Sequence, residues 1–382
     1  MSACDDCLRR SDLIAAVAGR LDVEWRRRSA PAGVLSLPDD ALVALDSTGV
    51  AARRYATFSP DAARAAIAAA GLTVLCRCTP AYPGRLRELA DPPAVLHVAG
   101  DARALETVEG VAVVGARRGT AYGLEVARSL GRGLSAAGVP VISGMAMGVD
   151  SAAHVGALEH RVPAAPASGA VAEPAAPAVR ARAAPPIAVL AGGADMPYPP
   201  SRRGLYARIV EHGCIVSELP PRFTAFRWSF VARNRIIAGL AALTVVVEAA
   251  ERSGSLTTAD FAEQLGRPVG AVPGPVTSRF STGTNGLLAA GAGVVRDTRD
   301  VLDQLLGPSA SERAEPPPAV PIEPRLRRLL DAIERGHGSL AELATDPDEA
   351  QQILQDLTDL ELRGLVRREF GGRYVRALEG RR

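Results

Sequence analysis

The apolar positions divide the chain into three parts. Up to about residue 75 they recur at helical spacing, as in "SDLIAAVAGRL" and "PDAARAAIAAAGL", which predicts an N-terminal domain of short helices (1–75). Over 76–110 prolines break the pattern ("TPAYPGRLRELADPPAVLHVAG"), and this stretch reads as a connecting segment. From Val111 short, almost uninterrupted apolar runs take over: "VAVVG", "VPVIS", "IAVLAGG", "CIVSE", "LTVVVEA", "VGAVPG" and "GVVRD". Such runs, with helical stretches between most of them, predict parallel strands buried on both faces. Residues 111–306 should therefore fold as a doubly wound, mainly parallel α/β sheet of the Rossmann-like kind.

Two stretches carry no packing pattern. Residues 160–186 are Ala/Pro-rich and of low complexity, and they read as an insert that builds no core. The insert joins a helix to the strand at Ile187, so it should sit at the N-terminal edge of the strands. Ligands of such sheets bind at the opposite edge. Residues 307–324 are a Pro-rich linker. Beyond it, 325–382 show three helical patterns and a hairpin turning at Gly371 and Gly372, the order of a winged helix. Its third helix, Asp348 to Arg363, carries Asp348, Glu349, Asp356, Asp359 and Glu361 against one arginine. That charge favours a protein contact or a structural role over reading a DNA groove.

Composition narrows the chemistry. The formal charge is +2 over 382 residues, so any nucleic-acid binding must come from a local patch. All 44 basic residues are arginine. Lysine Schiff-base or P-loop chemistry is thereby excluded, and phosphate contacts must come from arginine, backbone amides or hydroxyls. "MSACDDCLRRSDLI" has no apolar leader, and no run has the roughly 18 apolar residues that suggest a membrane span. A cytoplasmic location with reduced thiols is expected. Cys4-x-x-Cys7 and Cys76-x-Cys78 could together form a structural Cys₄ zinc site, with unrelated reduced thiols as the alternative. Cys214, at a strand start, reads as core.

Four loops follow strands and should cluster at the C-terminal edge of the sheet. "VVGARRGTAYG" places Gly115, Gly119 and Gly123 outside the G-x-G-x-x-G pattern, and the second strand ends in Ser143-Gly144 without the acid a dinucleotide site needs. Arg117 and Arg118 instead sit in a turn before a helix, where free amides would suit a phosphodiester. In "SGMAMGVDSAAH", Gly144 and Gly148 allow close backbone approach. Asp150 reads as the cap of a helix starting at Ser151, with His154 one turn on. A catalytic Asp–His pair is conceivable there, but cap plus packing is the favoured reading. In "FVARNRIIAGL", Arg233 and Arg235 flank Asn234 at an apparent helix start, an unfavourable place for cations unless an anion binds. Phe230 offers a stacking face, and Arg222, Phe223, Phe226, Arg227 and Trp228 lie just upstream. Basic residues interleaved with aromatics suit unpaired nucleotides. Ser253, Gly254 and Ser255, the last read as a helix cap, form another amide-rich cradle, and "VPGPVTSRFSTGTNGLL" adds Gly274, Gly283 and Asn285.

These segments, with "LAGGADMPYPP" and "VVVEAAERSGSLTTA", occur in an order that resembles the DNA-processing protein A (DprA/Smf) family. The resemblance spans about 95–306, and the helical N-terminus and winged-helix tail fit the family's layout. It implies an extended Rossmann-like domain that binds single-stranded DNA without sequence preference. It further implies protection of incoming DNA in natural transformation, loading of the RecA recombinase, a homodimer formed through this domain, and no enzymatic activity. Carried over by motif, Arg117, Ser143, Gly144, Arg233, Asn234 and Arg235 would serve DNA. Ala116 replaces a usual hydroxyl residue and Val231 a usual proline. The rival reading is a nucleotide-processing enzyme related to the nucleoside-monophosphate phosphoribohydrolases, but "SGSLTTADFAE" lacks their Pro-Gly-Gly-x-Gly-Thr-x-x-Glu loop.

Overall fold

Five helices open the chain: α1 Asp5–Ala16, α2 Ala18–Arg27, α3 Asp39–Ala44, α4 Val50–Ala56 and α5 Pro60–Ala69. Strands β1 Thr73–Cys76, β2 Val95–Gly100 and β3 Gly110–Val114 follow, then α6 Ala121–Ala136, β4 Val141–Ser143, α7 Val149–Glu159 and β5 Ile187–Val189. The chain continues through α8 Arg203–His212, β6 Cys214–Ser217, α9 Arg227–Leu240, β7 Ala241–Val246 and α10 Leu256–Gln264. It ends this unit with β8 Val269–Ala271, α11 Thr282–Ala289, β9 Gly293–Val294 and α12 Thr298–Leu306. This computed structural model describes residues 3–27, 33–106, 109–159, 183–308, 323–344, 347–362, 365–368 and 372–376, in two compact units, Met1–Ser311 and Glu312–Arg382.

The sheet has nine strands in the order β1-β2-β6-β5-β4-β3-β7-β8-β9. All seven apolar runs from Val111 onward are strands, and they pair in parallel from β6 across to β9. Successive residues of β3 face opposite layers, as the period of a strand requires. Val111 and Val113 pack with Val126, Leu130 and Leu134 of α6, while Ala112 and Val114 share a core with Ile236, Ile237 and Leu240 of α9. Helices thus cover both faces, and this is why the strands read as continuous apolar runs rather than alternating ones.

Two strands depart from the sequence expectation. Residues 73–76 and 95–100 extend the sheet antiparallel, β1 on β2 and β2 on β6. "TVLC" is too short to show a period, and the Pro92-Pro93 pair before β2 masks a strand that is buried along almost its whole length. The N-terminal helices also share their core with the sheet. Cys7 and Leu8 pack with Val74, Cys76 and Val95, and Leu13, Ile14, Val17 and Leu21 pack with Leu219, Trp228 and Ala232.

Residues 160–182 of the insert and 309–322 of the linker lie outside the described residues. The chain returns at Ala183, and the next residue, Ala184, donates its amide to the Ser135 carbonyl at 3.0 Å and accepts at its carbonyl from Ser135 Oγ at 3.1 Å. This contact is at the C-terminal end of α6, on the side where β4 begins. The second unit holds helices Pro324–Glu334, Leu340–Leu343 and Pro347–Leu362, and an antiparallel pair, Val366–Arg368 with Tyr374–Arg376. Its core joins Leu326, Leu330, Ile333, Leu357, Leu360, Val366 and Tyr374. Three helices followed by two strands is the expected order; the turn at Gly371 lies outside the described residues. One acid of the third helix, Asp356, is internal, accepting from Arg325 Nη2 at 2.6 Å. Among the described residues no helix is long and apolar enough to cross a membrane.

Candidate nucleic-acid interface

Connections leave β3 and β7 in opposite directions across the sheet. The C-terminal ends of these two neighbours therefore diverge and leave a crevice, the place where doubly wound sheets bind ligands. A cleft of about 390 Å³ opens there, lined by Gly115–Arg118 after β3, Ala146 and Asp150 after β4, Phe230, Arg233 and Asn234 of α9, and Ser253–Ser255 after β7. A smaller neighbouring pocket shares Arg117, Phe230 and Arg233 and adds Gly144, Met147 and Tyr198. Residues from four separate motifs thus meet at one strand edge.

Arg117 and Arg118 are exposed on the cleft rim. The Arg117 guanidinium lies over the Phe230 ring, 5.1 Å from its centroid. Tyr198 packs against the same ring at 5.3 Å and is itself 48% exposed. Such stacking holds the cation in place while leaving its in-plane donors available. Across the cleft Arg279 covers Phe280 at 4.9 Å. Tyr198 and the Arg279–Phe280 pair were not singled out from sequence as ligands; the available signal was their place within two of the ordered motifs.

Arg233 is only 6% exposed. Its Nη1 donates to the Val189 carbonyl at 2.6 Å, and its Nε has no partner among the described residues. Burial pulls its pKa down to about 10, against the opposing pull of Asp150, and Arg117 lowers it further. It therefore stays charged at neutral pH. Asp150, buried beside it, accepts from the Gly144 amide at 3.1 Å. Burial raises the Asp150 pKa, with Arg233 acting to lower it. A Cβ at Gly144 would collide with the Arg233 guanidinium, which would have to move from its present place. Gly148 has φ +85°, and a Cβ would strike the Ala116 carbonyl.

Several residues have roles other than those expected. Helix α9 starts at Arg227, where Ser229 Oγ accepts from the Phe226 amide at 3.0 Å. Arg233 and Arg235 thus lie in its interior, beyond the first turn where the dipole is concentrated, and the supposed cost of cations at a helix start disappears. Arg235 is 3% exposed and points away from the cleft. Its Nε donates to Asp91 at 3.0 Å and its Nη2 to Glu218 at 2.7 Å. Burial acts to lower its pKa, but the two carboxylates outweigh this and raise it. It is an internal ion-pair residue, not a free phosphate ligand.

Asn234 donates through Nδ2 to the Gly254 carbonyl at 3.1 Å and to Thr257 Oγ1 at 2.8 Å. Of the two roles open to it, fixing the loop is the one the geometry supports. Trp228 is buried against the N-terminal helices and offers no stacking face. Ser143 Oγ donates to the Val113 carbonyl at 2.6 Å in the core. Asn285 clasps Gly274 through both its amide atoms. Ser255 makes no side-chain cap; its hydroxyl meets Ser253 Oγ at 2.8 Å. α7 starts at Val149, so Asp150 lies inside the helix rather than capping it. His154 is fully buried, and burial lowers its pKa to about 4. Neutral and enclosed, it packs as the favoured reading expected.

The expected free amides before α6 are partly taken by the protein itself. Glu248, at the end of the Val-Val-Val run, accepts from the Thr120 amide at 2.8 Å and from its hydroxyl at 2.5 Å. An internal carboxylate thus occupies part of the helix N-terminus where a phosphate was expected. This role was not read from sequence, since an acid closing an apolar strand carries no distinctive spacing.

Away from the cleft, the four predicted cysteines come together. The Sγ atoms of Cys4, Cys7, Cys76 and Cys78 all lie within 4.8 Å of one another, a cluster that could hold a metal ion. Cys214 stands apart, buried in the core.

Fold and cleft define a doubly wound α/β protein with arginines gathered at its switch point. The chain belongs to the family described as DNA recombination-mediator protein A, whose model matches residues 73–306, from the first strand of the sheet to the end of α12. It is 38% identical over 303 residues to a DprA-type DNA processing protein of Mycobacterium tuberculosis, covering 78% of this chain and 72% of that one. The solved structure of DprA from Streptococcus pneumoniae matches with a TM-score of 0.60 at 27% identity, covering 80% of this chain and 99% of that one. DprA from Helicobacter pylori, described for its single-stranded DNA binding mode, matches with a TM-score of 0.51 at 28% identity, covering 62% and 95%.

Proposed function

We propose that the protein binds single-stranded DNA along the switch-point cleft, without sequence preference, and acts as a recombination mediator that loads RecA. The observation that carries this reading is the pairing of an exposed Arg117, stacked on Phe230, with a buried, charged Arg233. Among the described residues the Arg233 guanidinium donates to the Val189 carbonyl, its Nε has no partner, and Asp150 acts on it through its field. A phosphate at the mouth of the cleft would meet Arg117 directly and Arg233 through its field, while the Phe230–Tyr198 edge would favour unpaired bases. RecA loading and a homodimer through the α/β unit rest on family membership. The reading is of binding without turnover, and the bond from the Gly144 amide to Asp150 and the enclosure of His154 support it.

A salt titration of anisotropy with a labelled mixed-sequence single strand, compared with duplex, tests it. Wild type should prefer the single strand. Arg117→Ala should weaken binding and flatten the plot of log K against log salt by about 0.7, the value for one phosphate contact on a single strand. Absence of a single-strand preference, or release of a base from added nucleotides, would refute it.

A further inference from the structure

The sequence brings two pairs of cysteines from segments about seventy residues apart to one corner of the sheet. Cys4 directly precedes α1 and Cys7 lies in its first turn, while Cys76 closes β1 and Cys78 follows two residues later. Cys7 and Cys76 are buried; Cys4 and Cys78 are exposed. The sulfur separations are 3.5 Å for Cys4–Cys76, 3.6 Å for Cys7–Cys78 and 3.9 Å for Cys4–Cys78. Zinc–thiolate bonds of about 2.3 Å in tetrahedral geometry put neighbouring sulfurs about 3.8 Å apart. The four thiols therefore already have the spacing of one mononuclear site, whereas reduced thiols packed for their apolar character need no such mutual distance.

We propose that Cys4, Cys7, Cys76 and Cys78 bind one structural zinc ion that fastens α1 to the edge strand β1. Four protein sulfurs complete the coordination and leave no open position for a substrate, so the ion holds structure and does no chemistry. Arg64 reaches the same corner, donating to the Ala3 carbonyl at 3.2 Å and pairing with Asp5. Leu13, Ile14, Val17 and Leu21, which follow Cys7 in the chain, share a core with Trp228 and Ala232 of α9. Ser11 Oγ donates to the Glu218 carbonyl at 2.9 Å. The ion thus anchors the helices that cover the first turns of α9, the element that carries Phe230 and Arg233. The zinc site stands independently of the DNA reading, since its occupancy is read by metal analysis and not by DNA binding.

The test uses the full chain, purified under reducing conditions without a metal-affinity tag, and total metal analysis. One zinc per chain is expected, lost from Cys4→Ser/Cys78→Ser, whose thiols are the exposed pair. Because that variant could misfold, wild-type protein stripped by a chelator is titrated with Co²⁺ alone. It should develop the intense sulfur-to-cobalt and tetrahedral absorption bands at one equivalent and lose them to added Zn²⁺. The stripped protein should also show red-shifted tryptophan emission and faster proteolysis before residue 76, both reversed by zinc. Metal-free protein with no cobalt spectrum, iron in place of zinc, or a mass four hydrogens light from two disulfides would each overturn the assignment.

Discussion

Arg235 provides the sharpest test of how the arginine motif divides its labour. Replacing it by Met keeps much of the side-chain volume and leaves Glu218 and Asp91 facing a hydrocarbon. Glu218 is 6% exposed, and Arg235 spans both acids with bonds of 2.7 and 3.0 Å. Removing one partner of such a buried pair costs about 3–5 kcal/mol, because the remaining charge cannot be hydrated. Against a total stability of about 5–15 kcal/mol for a typical domain, that is a severe loss. Urea unfolding followed by circular dichroism should show the midpoint falling with little change in slope. Adding Glu218→Gln should restore part of the loss by removing the stranded charge. The salt dependence of DNA binding by the folded Arg235→Met protein should equal that of wild type. Arg117→Ala should behave in the opposite way: unfolding within about 0.5 kcal/mol of wild type, as for exposed positions, and a shallower salt slope. If Arg235→Met unfolds like wild type and flattens the salt slope by about 0.7, then Arg235 reaches phosphate and the ion-pair account is wrong.

Acid should destabilise the α/β unit through its enclosed histidines. Burial lowers the pKa of both His97 and His154 to about 4, below the roughly 6.5 of an unfolded chain. The unfolded state therefore binds more protons between these values, and stability is full above pH 6.5 and lost as pH falls toward 4. Each histidine contributes on the order of 3 kcal/mol to that loss; Asp150 and Glu218, whose pKa values are raised, act with the opposite sign, so a His154→Gln chain with the pH dependence of wild type over the window would contradict it. Gly144→Ala places a methyl group against the Arg233 guanidinium. It should dislodge Arg233 from the Val189 carbonyl, cost about 1–3 kcal/mol as overpacking does, and weaken single-strand binding. A variant as stable and as tight-binding as wild type would show that Arg233 is not held as described.

Strand content was legible because both faces of the sheet are buried from β3 to β8, so each of these strands announces itself as an apolar run, while the two-residue edge strand β9 is half-exposed. The two antiparallel strands were not, since β1 is four residues long and β2 follows paired prolines. Site residues were legible as a set of loops, because the C-terminal ends of parallel strands bring successive loops together whatever their spacing in sequence. Which side chain within a loop faces the cleft depends on hydrogen bonds that carry no sequence period. Glu248 bonded to Thr120 and Asn285 bonded to Gly274 are examples.

The motif Arg233-Asn234-Arg235 shows what helix geometry alone could have settled. Successive residues of an α-helix are turned by about 100°, so positions two apart point roughly 200° from one another and cannot serve one ligand. Once α9 is helical through all three, Arg233 faces the cleft, Asn234 turns to Gly254 and Thr257, and Arg235 reaches Asp91 and Glu218 on the far side. The two arginines could have met the same anion only if the helix began after them. It begins at Arg227, six residues before Arg233, so the paired charges divide into one cation on the cleft and one that locks α9 to the segment before β2 and the end of β6. The second stabilises the helix on which the first is displayed, and that division makes the separate effects of Arg233 and Arg235 on stability and on DNA binding distinguishable by experiment.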